Sequence, residues 1–166
     1  AVLGPAIAPY QPEEMLTERA LEPPSKEFIF GTDEFGRDIF SRIVYGAQVS
    51  LQVGLISVGI GASFGLIFGL IAGYFQGKVD QIIMRIMDVF FAFPDILLAL
   101  TIVAVLGPSI TNTMIAIAIG IVFTPVFTRI VRGAVIGVKE NDYITNAVAI
   151  GVPPLKVVFK HITPNI

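Results

Sequence analysis

The chain has 166 residues, of which 54% are hydrophobic and only 14% carry a charge. Soluble domains use about 45–50% apolar and about 25% charged residues, so this composition excludes an ordinary soluble protein and predicts a membrane protein. The net charge of −2 is too small to indicate a nucleic-acid partner, and the lack of cysteine excludes disulfides, thiol nucleophiles and Cys-based metal sites.

Residues 1–42 are the most polar part of the chain and are predicted to lie outside the membrane. The segment PYQPEEMLTERALEPPSKEF is acidic and contains prolines, and it lacks the apolar core of a signal peptide. We therefore expect an irregular extramembrane segment here and no cleavable leader. Residues 37–50 are predicted to form a helical lead-in at the membrane surface.

Residues 43–131 contain the predicted membrane helices. Two charge-free runs, residues 43–77 and 96–128, each exceed the ~20 residues that cross a bilayer as a helix. Turn signals at Gln76-Gly77-Lys78 and at Leu106-Gly107-Pro108-Ser109 divide this region. Three crossings are therefore predicted, at about residues 51–74, 82–106 and 110–131.

The basic residues predict how these crossings are oriented. Of the 11 lysines and arginines, four precede the first crossing, two lie in the first connection and five follow the third crossing. The positive-inside rule places the first connection and residues 132–166 in the cytoplasm, and residues 1–42 outside. A chain that starts outside without an initiating Met is expected to be a fragment that lacks at least one earlier crossing.

Four glycines of the first crossing follow one another at i, i+4 spacing and share one helix face: Gly61, Gly65, Gly69 and Gly73. Small residues at this spacing let two helix backbones approach closely, which is the main route to helix packing in lipid. We interpret them as a packing face, with a pore-lining face as the alternative.

Charged residues near the second crossing are candidates for function, because ionisable groups are costly in a bilayer. Arg85 and Asp88 stand at i, i+3 and are predicted to form an ion pair within one helix. Asp95 has no predicted partner and follows Pro94, which is expected to kink the helix. Pro125 is likewise expected to bend the third crossing.

Motifs that would indicate an enzyme are missing from the sequence. It contains no HExxH, no GxSxG, no P-loop and no pair of intramembrane-protease aspartates. Its one histidine, His161, is interpreted as a surface group rather than a metal ligand. We therefore predict neither catalytic activity nor a metal site.

The stretch DYITNAVAIGVPPLKVVFKHITPN ends the chain on the predicted cytoplasmic side. Asp142 to Ile150 is predicted to form a short surface helix, capped by Asn141 or Asp142, with an apolar side formed by Ile144, Ala147, Val148 and Ile150. Gly151 is expected to end it with a positive φ, and Pro153-Pro154 to begin a second helix extending to His161. Two short helices at a glycine corner would form a compact knob that fits a cleft in a cytosolic partner. The alternative is a plain interfacial helix.

Several stretches carry patterns of a known family. The run GTDEFGRDIFSRIVYGAQVSL matches G-T-D-x-x-G-R-D-x-x-S-R-x-x-Y-G-A-x-x-S-L at every fixed position. RIMDVFFAFPDILLAL and VLGPSITN add to the likeness. These stretches resemble the inner-membrane permeases of dipeptide, oligopeptide and nickel ABC importers.

The C-terminal stretch resembles the coupling loop of the binding-protein-dependent permeases. That pattern, E-A-A-x-x-x-G followed by I-x-x-P, is met by Gly151, Ile162 and Pro164, with Asn165 after it. Thr145 and Asn146 replace the Glu and the first Ala, whereas Ala147 is retained.

The resemblance implies an all-α type I ABC importer transmembrane domain with six spans, of which this chain contains about three. It implies uptake of peptides, nickel or small oligomeric solutes across the cytoplasmic (inner) membrane, with ATP used by partner subunits and no cofactor in this chain. The implied partners are ABC ATPase subunits, a second permease subunit, an extracytoplasmic solute-binding protein and the lipid bilayer. The residues implied to couple to the ATPase are Asp142, Tyr143, Ile144, Thr145, Asn146, Ala147, Ala149, Gly151, Leu155, His161 and Pro164.

Two other classes of function remain open. An ion-coupled secondary transporter would need coupling-ion groups within the membrane, for which Asp95 is the only candidate. A membrane-embedded enzyme would need a cluster of reactive side chains.

Overall fold

The computed structural model describes residues 4–107 and 111–166. In this part of the chain every regular element is helical and no β-strand occurs, which confirms the predicted all-α class. The chain divides after Leu55 into two compact units. The helices are α1 (Gly4–Ile7), α2 (Ile39–Phe75), α3 (Gly77–Phe91), α4 (Asp95–Leu106), α5 (Asn112–Lys139), α6 (Asp142–Ala149) and α7 (Pro154–Lys156), with 3-10 turns at Thr17–Arg19 and Thr163–Asn165 and a π-helical segment at Val157–Ile162.

Among the described residues, two helices are long and apolar enough to cross a membrane, α2 and α5. Together α3 and α4 also pass this test, but their axes are bent by 91° at the break between them. The structure therefore holds two spans, or three if the bent pair is one broken span. This agrees with the predicted multi-pass membrane protein.

The first crossing is longer than predicted. α2 begins at Ile39 and has 37 residues, so the expected lead-in and the expected span at residues 51–74 are one helix. At 1.5 Å per residue it extends about 55 Å, well beyond the ~30 Å hydrocarbon core. The sequence between the two expected parts contains neither proline nor a turn signal, so nothing stops the helix there.

The second predicted crossing, residues 82–106, is not one helix. α3 ends at Phe91, Pro94 adopts an extended backbone (φ −60°, ψ 127°), and α4 restarts at Asp95. Proline donates no amide hydrogen and disfavours helical geometry in the residue before it, which favours a break at Phe93.

The third predicted crossing corresponds to α5, which extends past residue 131 to Lys139 and continues through Pro125. The hydroxyl of Thr111 accepts a hydrogen bond from the amide of Met114 and caps its start. Gly107 ends α4 with φ +111°. The rest of the predicted turn, Pro108 and Ser109, and the predicted first residue of this crossing, Ile110, lie outside the described residues.

The first unit is a loop structure organised around Thr32. Its hydroxyl donates to the carbonyl of Arg19 (2.5 Å) and accepts from the amide of Glu22 (2.8 Å). The Thr32 amide donates to the Glu22 carbonyl, and the Leu21 amide donates to the Asp33 carbonyl. These bonds join residues 19–22 to residues 32–33, so the irregular segment expected from sequence has a defined fold.

Within the second unit, α2 packs against α5 along its glycines. A Cβ added at Gly65 would lie 2.3 Å from Phe127 Cβ, at Gly69 2.6 Å from Val131 Cβ, and at Gly73 2.7 Å from Val135 Cβ. The two backbones can approach this closely only because these glycines lack side chains. The hydroxyl of Ser57 donates to the carbonyl of Ala116 (2.9 Å) and adds a polar tie between the helices.

Candidate functional site

The C-terminal knob begins with α6 and turns at Gly151. The Gly151 amide donates to the Val148 carbonyl (3.0 Å) and the Val152 amide donates to the Ala147 carbonyl (3.1 Å). This is the pattern of a Schellman motif, which requires a left-handed residue just after the helix. Gly151 has φ +82°, which confirms the predicted positive φ.

The second limb of the knob, residues 153–165, starts at the proline pair. Pro153 is extended and Pro154 is the first residue of α7, where its lack of an amide hydrogen costs nothing. The limb then becomes π-helical from Val157 to Ile162. At its end, the Thr163 hydroxyl donates to the Val158 carbonyl (2.9 Å) and the Asn165 side chain donates to the His161 carbonyl (2.7 Å).

An apolar cluster anchors the knob to the long helices. Ile144 of α6 and Val157 and Ile162 of the second limb are buried together with Leu70 of α2 and Val135 of α5. Burying side chains of this size stabilises a contact by about 1.5–3 kcal/mol each. The knob is therefore fixed to the helices that carry it.

The predicted coupling residues fall into two groups. Ile144 and Ala147 are buried and face the helices of this chain, and His161 is half-buried. The others are exposed: Asp142, Tyr143, Thr145, Asn146, Ala149, Gly151, Leu155 and Pro164. Of these, Leu155 lines an apolar cavity beside Leu66 and Leu70 of α2.

The expected single apolar side of α6 is wrong. Ala147 is only 7% exposed, whereas Ile150 at the end of the same helix is 81% exposed, and Val148 is exposed as well. Ile144 and Ala147, three residues apart, share the face that the apolar cluster covers. Sequence reasoning also left Phe159 out of the candidate residues, although its exposed ring lies on the second limb. Its signal in the sequence was the apolar triplet Val157-Val158-Phe159 between two lysines.

The charges of α3 pair with α5 rather than with each other. Asp88 accepts from Arg129 (2.6 Å), so the predicted pair of Arg85 with Asp88 is wrong. Asp80 accepts from two nitrogens of Arg132, at 2.5 and 2.6 Å. The guanidinium groups of a neighbouring helix reach these carboxylates, which local spacing could not indicate.

Among the described residues, no group of three or more His, Asp or Glu side chains could hold a metal ion. Asp95 is exposed at the start of α4. The site consists of a rigid knob with an outer surface of small, polar and apolar side chains, attached to two long helices.

Comparison with known proteins places this site in context. Residues 65–166, which include the knob, match the family described as binding-protein-dependent transport system inner membrane component. The dipeptide transport system permease protein DppC of Alkalihalophilus pseudofirmus is 48% identical over 165 residues, which are 99% of this chain and 54% of that protein. The glutathione transport system permease proteins GsiD of Shigella dysenteriae and of Escherichia coli are each 48% identical over 166 residues, with the same coverage. The chain spans about half the length of the curated relatives it matches.

Proposed function

Because the chain belongs to the family of inner-membrane components of binding-protein-dependent transport systems, we propose that it is the permease part of an ATP-driven importer. The relatives are named for dipeptide and glutathione transport, which supports small peptides as the cargo. The match to these relatives over 99% of the chain supports a peptide-type ABC permease rather than a secondary transporter or an enzyme.

In this proposal the knob is the part of the chain that an ABC ATPase subunit binds. The ATPase holds and hydrolyses ATP, since the sequence lacks the P-loop that would cradle its phosphates. Closure of the ATPase pushes on the knob, and the attached helices change between outward and inward opening. A second permease subunit and an extracytoplasmic solute-binding protein complete the importer.

The observation that carries the proposal is the construction of the knob. Its inner side is buried against α2 and α5, so a force on it reaches the membrane helices directly. Its outer side presents the Gly151 corner, where an added Cβ would meet no atom within 4 Å. A surface that is open at the corner and rigid behind it is suited to receive a partner.

The test compares two substitutions of Gly151 in the full-length permease. Both Gly151→Ala and Gly151→Glu impose a side chain on the positive φ, at a cost of about 1–2 kcal/mol. Only Gly151→Glu places a long charged group in the space at the corner. We expect Gly151→Ala to keep most uptake, and Gly151→Glu to insert normally but to lose co-purification of the ATPase subunit and ATP-dependent uptake.

A second exposed position extends this test. Ile150 is exposed beside the corner, whereas Ala147→Asp would bury a carboxylate and disturb folding instead. Ile150→Asp is therefore expected to weaken ATPase capture without loss of membrane-inserted protein. Normal uptake and normal co-purification in both Gly151→Glu and Ile150→Asp would contradict the docking role.

A further inference from the structure

Two ion pairs join α3 to α5, and they differ in strength. Arg132 binds Asp80 through two nitrogens, and the side chains are 32% and 14% exposed. Arg129 binds Asp88 through one nitrogen, and those side chains are 48% and 50% exposed. A bidentate, partly shielded pair holds its geometry, whereas an exposed pair contributes little. The Asp80–Arg132 pair is therefore the stronger link.

The part of α5 that holds this pair also holds the knob. Val135, one turn after Arg132, is fully buried in the cluster that contains Ile144 and Val157 of the knob. The helix is continuous from Arg132 to Lys139, and only Glu140 and Asn141 separate it from α6. A displacement of the knob is thus passed to Arg132, and through Arg132 to Asp80.

The C-terminal end of α5 is also hydrogen-bonded to the C-terminal end of α2. Lys139 donates a hydrogen bond to the carbonyl of Tyr74 (2.7 Å), the residue before the last one of α2. The short break at Gln76 then leads into α3, four residues before Asp80. The end of α2, the start of α3 and the end of α5 are consequently held together by polar contacts.

α4 is held differently. Among the described residues, no ion pair involves α4. It contacts α5 through apolar side chains, with Leu100 and Val103 beside Ile115 and Ile119 around a shallow apolar cavity. The contact of α4 with α5 is at least as extensive as that of α3, but it includes no ion pair. The non-helical residues Phe93 and Pro94 lie between α3 and α4.

From these contacts we propose that Asp80 and Arg132 are positioning residues that make α3 move with the knob. The inference rests on the proposed function and adds the route by which movement of the knob reaches the bent helix pair. Neither residue binds ATP or cargo in this account. Their role is to keep α3 attached to the C-terminal half of α5 while the ATPase hydrolyses ATP.

The test measures uptake and ATP hydrolysis separately in the full-length permease, within its assembled transporter. Asp80→Asn removes the negative charge of the pair without a change in size, and Arg132→Gln removes the positive charge and shortens the side chain. Each is expected to lower uptake about tenfold, as a lost coupling free energy of about 1.4 kcal/mol would do. ATP hydrolysis and the amount of assembled complex are expected to stay near those of the unchanged protein.

Three controls make the result specific. Asp80→Glu keeps a carboxylate within reach of Arg132 and is expected to retain uptake. Asp88→Asn breaks the exposed pair and is expected to have a much smaller effect than Asp80→Asn. The unchanged transporter must itself bind the ATPase and take up cargo with ATP. If the unchanged transporter does neither, the proposed function is contradicted, and that failure is distinct from a failure of this inference.

Two outcomes would overturn the inference. Asp80→Asn and Arg132→Gln with normal uptake would mean that the pair transmits nothing. A parallel fall of complex assembly, hydrolysis and uptake in both variants would mean that the pair only stabilises the fold. The expected outcome, in which ATP is hydrolysed without matching uptake, is one that a merely structural role would not produce.

Discussion

At the scale of single residues, the run GTDEFGRD is explained by backbone geometry. Gly31 and Gly36 have φ +76° and +74°, and a Cβ on them would lie 2.4 Å from the Glu22 carbonyl oxygen and 1.9 Å from that of Leu16. No other residue fits in these places without moving the backbone. Asp38, just before α2, accepts from the amide (2.9 Å) and the hydroxyl (2.6 Å) of Ser41 and so starts the helix.

Asp33 is the polar centre of the same loop. Its carboxylate accepts from the amides of Phe35 (2.9 Å) and Arg37 (3.0 Å), from the Arg37 side chain (2.8 Å) and from Arg42. Removal from water raises the pKa of Asp33, but the hydrogen bonds from Arg37 and Phe35 outweigh this and lower the pKa from 3.8 to about 2. The charged form is therefore the one that fits the fold.

The lowered pKa predicts how the first unit responds to acid. A carboxylate whose folded pKa lies below its unfolded value stabilises the fold above the unfolded value, and this contribution is lost as the pH falls through the folded pKa. We expect the Phe35 and Arg37 amides to lose protection from hydrogen exchange between about pH 4 and pH 2, after correction for the intrinsic exchange rate.

A substitution isolates the contribution of Asp33. Asp33→Asn is expected to weaken protection of these amides already at neutral pH and to remove most of the acid response. Glu34→Gln is the matched control, because Glu34 is exposed and adjacent. If Asp33→Asn and the unchanged protein showed the same acid transition, Asp33 would not be the group responsible.

At the scale of elements, the contact between α2 and α5 depends on which side of α2 a glycine occupies. Gly65 and Gly69 lie against α5, whereas an added Cβ at Gly59 would meet no atom within 4 Å. The i, i+4 spacing in the sequence selected the glycines that make this contact. It could not identify the partner, because α5 lies some sixty residues further along the chain.

This difference predicts the effect of adding side chains. Gly65→Leu or Gly69→Leu forces a side chain into the helix contact, and overpacking of this kind typically costs about 1–3 kcal/mol. We expect both variants to enter the membrane but to unfold at lower temperature in detergent. Gly59→Leu is the control and is expected to unfold like the unchanged protein. Equal thermal stability of all three variants would show that the glycine face bears no tight contact.

The bent pair α3–α4 shows a second limit of prediction from the sequence. Pro94 indicated a kink, and the helix does end there, because proline acts through local backbone chemistry. The axes of the two helices are bent by 91°, and both helices contact α5. A kink was predictable from one residue, but its size and direction were not.

At the scale of the whole molecule, the orientation in the membrane is a further prediction. The sequence contains no cysteine, so an introduced one is the only thiol in this part of the chain. A cysteine at Glu22 is expected to react with an impermeant thiol reagent added outside intact cells. A cysteine at the exposed Glu140 is expected to react only after the membrane is opened. Lys139 is a poorer position, because its side chain binds the Tyr74 carbonyl. The opposite labelling would reverse the topology.

The sequence alone determined the features that depend on composition and on local backbone chemistry. These are the membrane class, the helix breaks near Gly77 and Pro94, and the corner at Gly151 between the two short helices of the knob. Glycine and proline act on their own φ and ψ, and long apolar runs identify membrane helices wherever they pack.

Only the tertiary structure decided which side chains meet. Asp80 pairs with Arg132, 52 residues away, and Asp88 pairs with Arg129, 41 residues away. The buried side of α6 likewise follows from Leu70 and Val135, which lie on two other helices. Periodicity predicts that a helix has faces, but the faces acquire partners only when helices distant in sequence are packed together. The sequence thus predicted the glycine corner of the knob, whereas the contacts that join the knob to α2 and α5 came only from the tertiary structure.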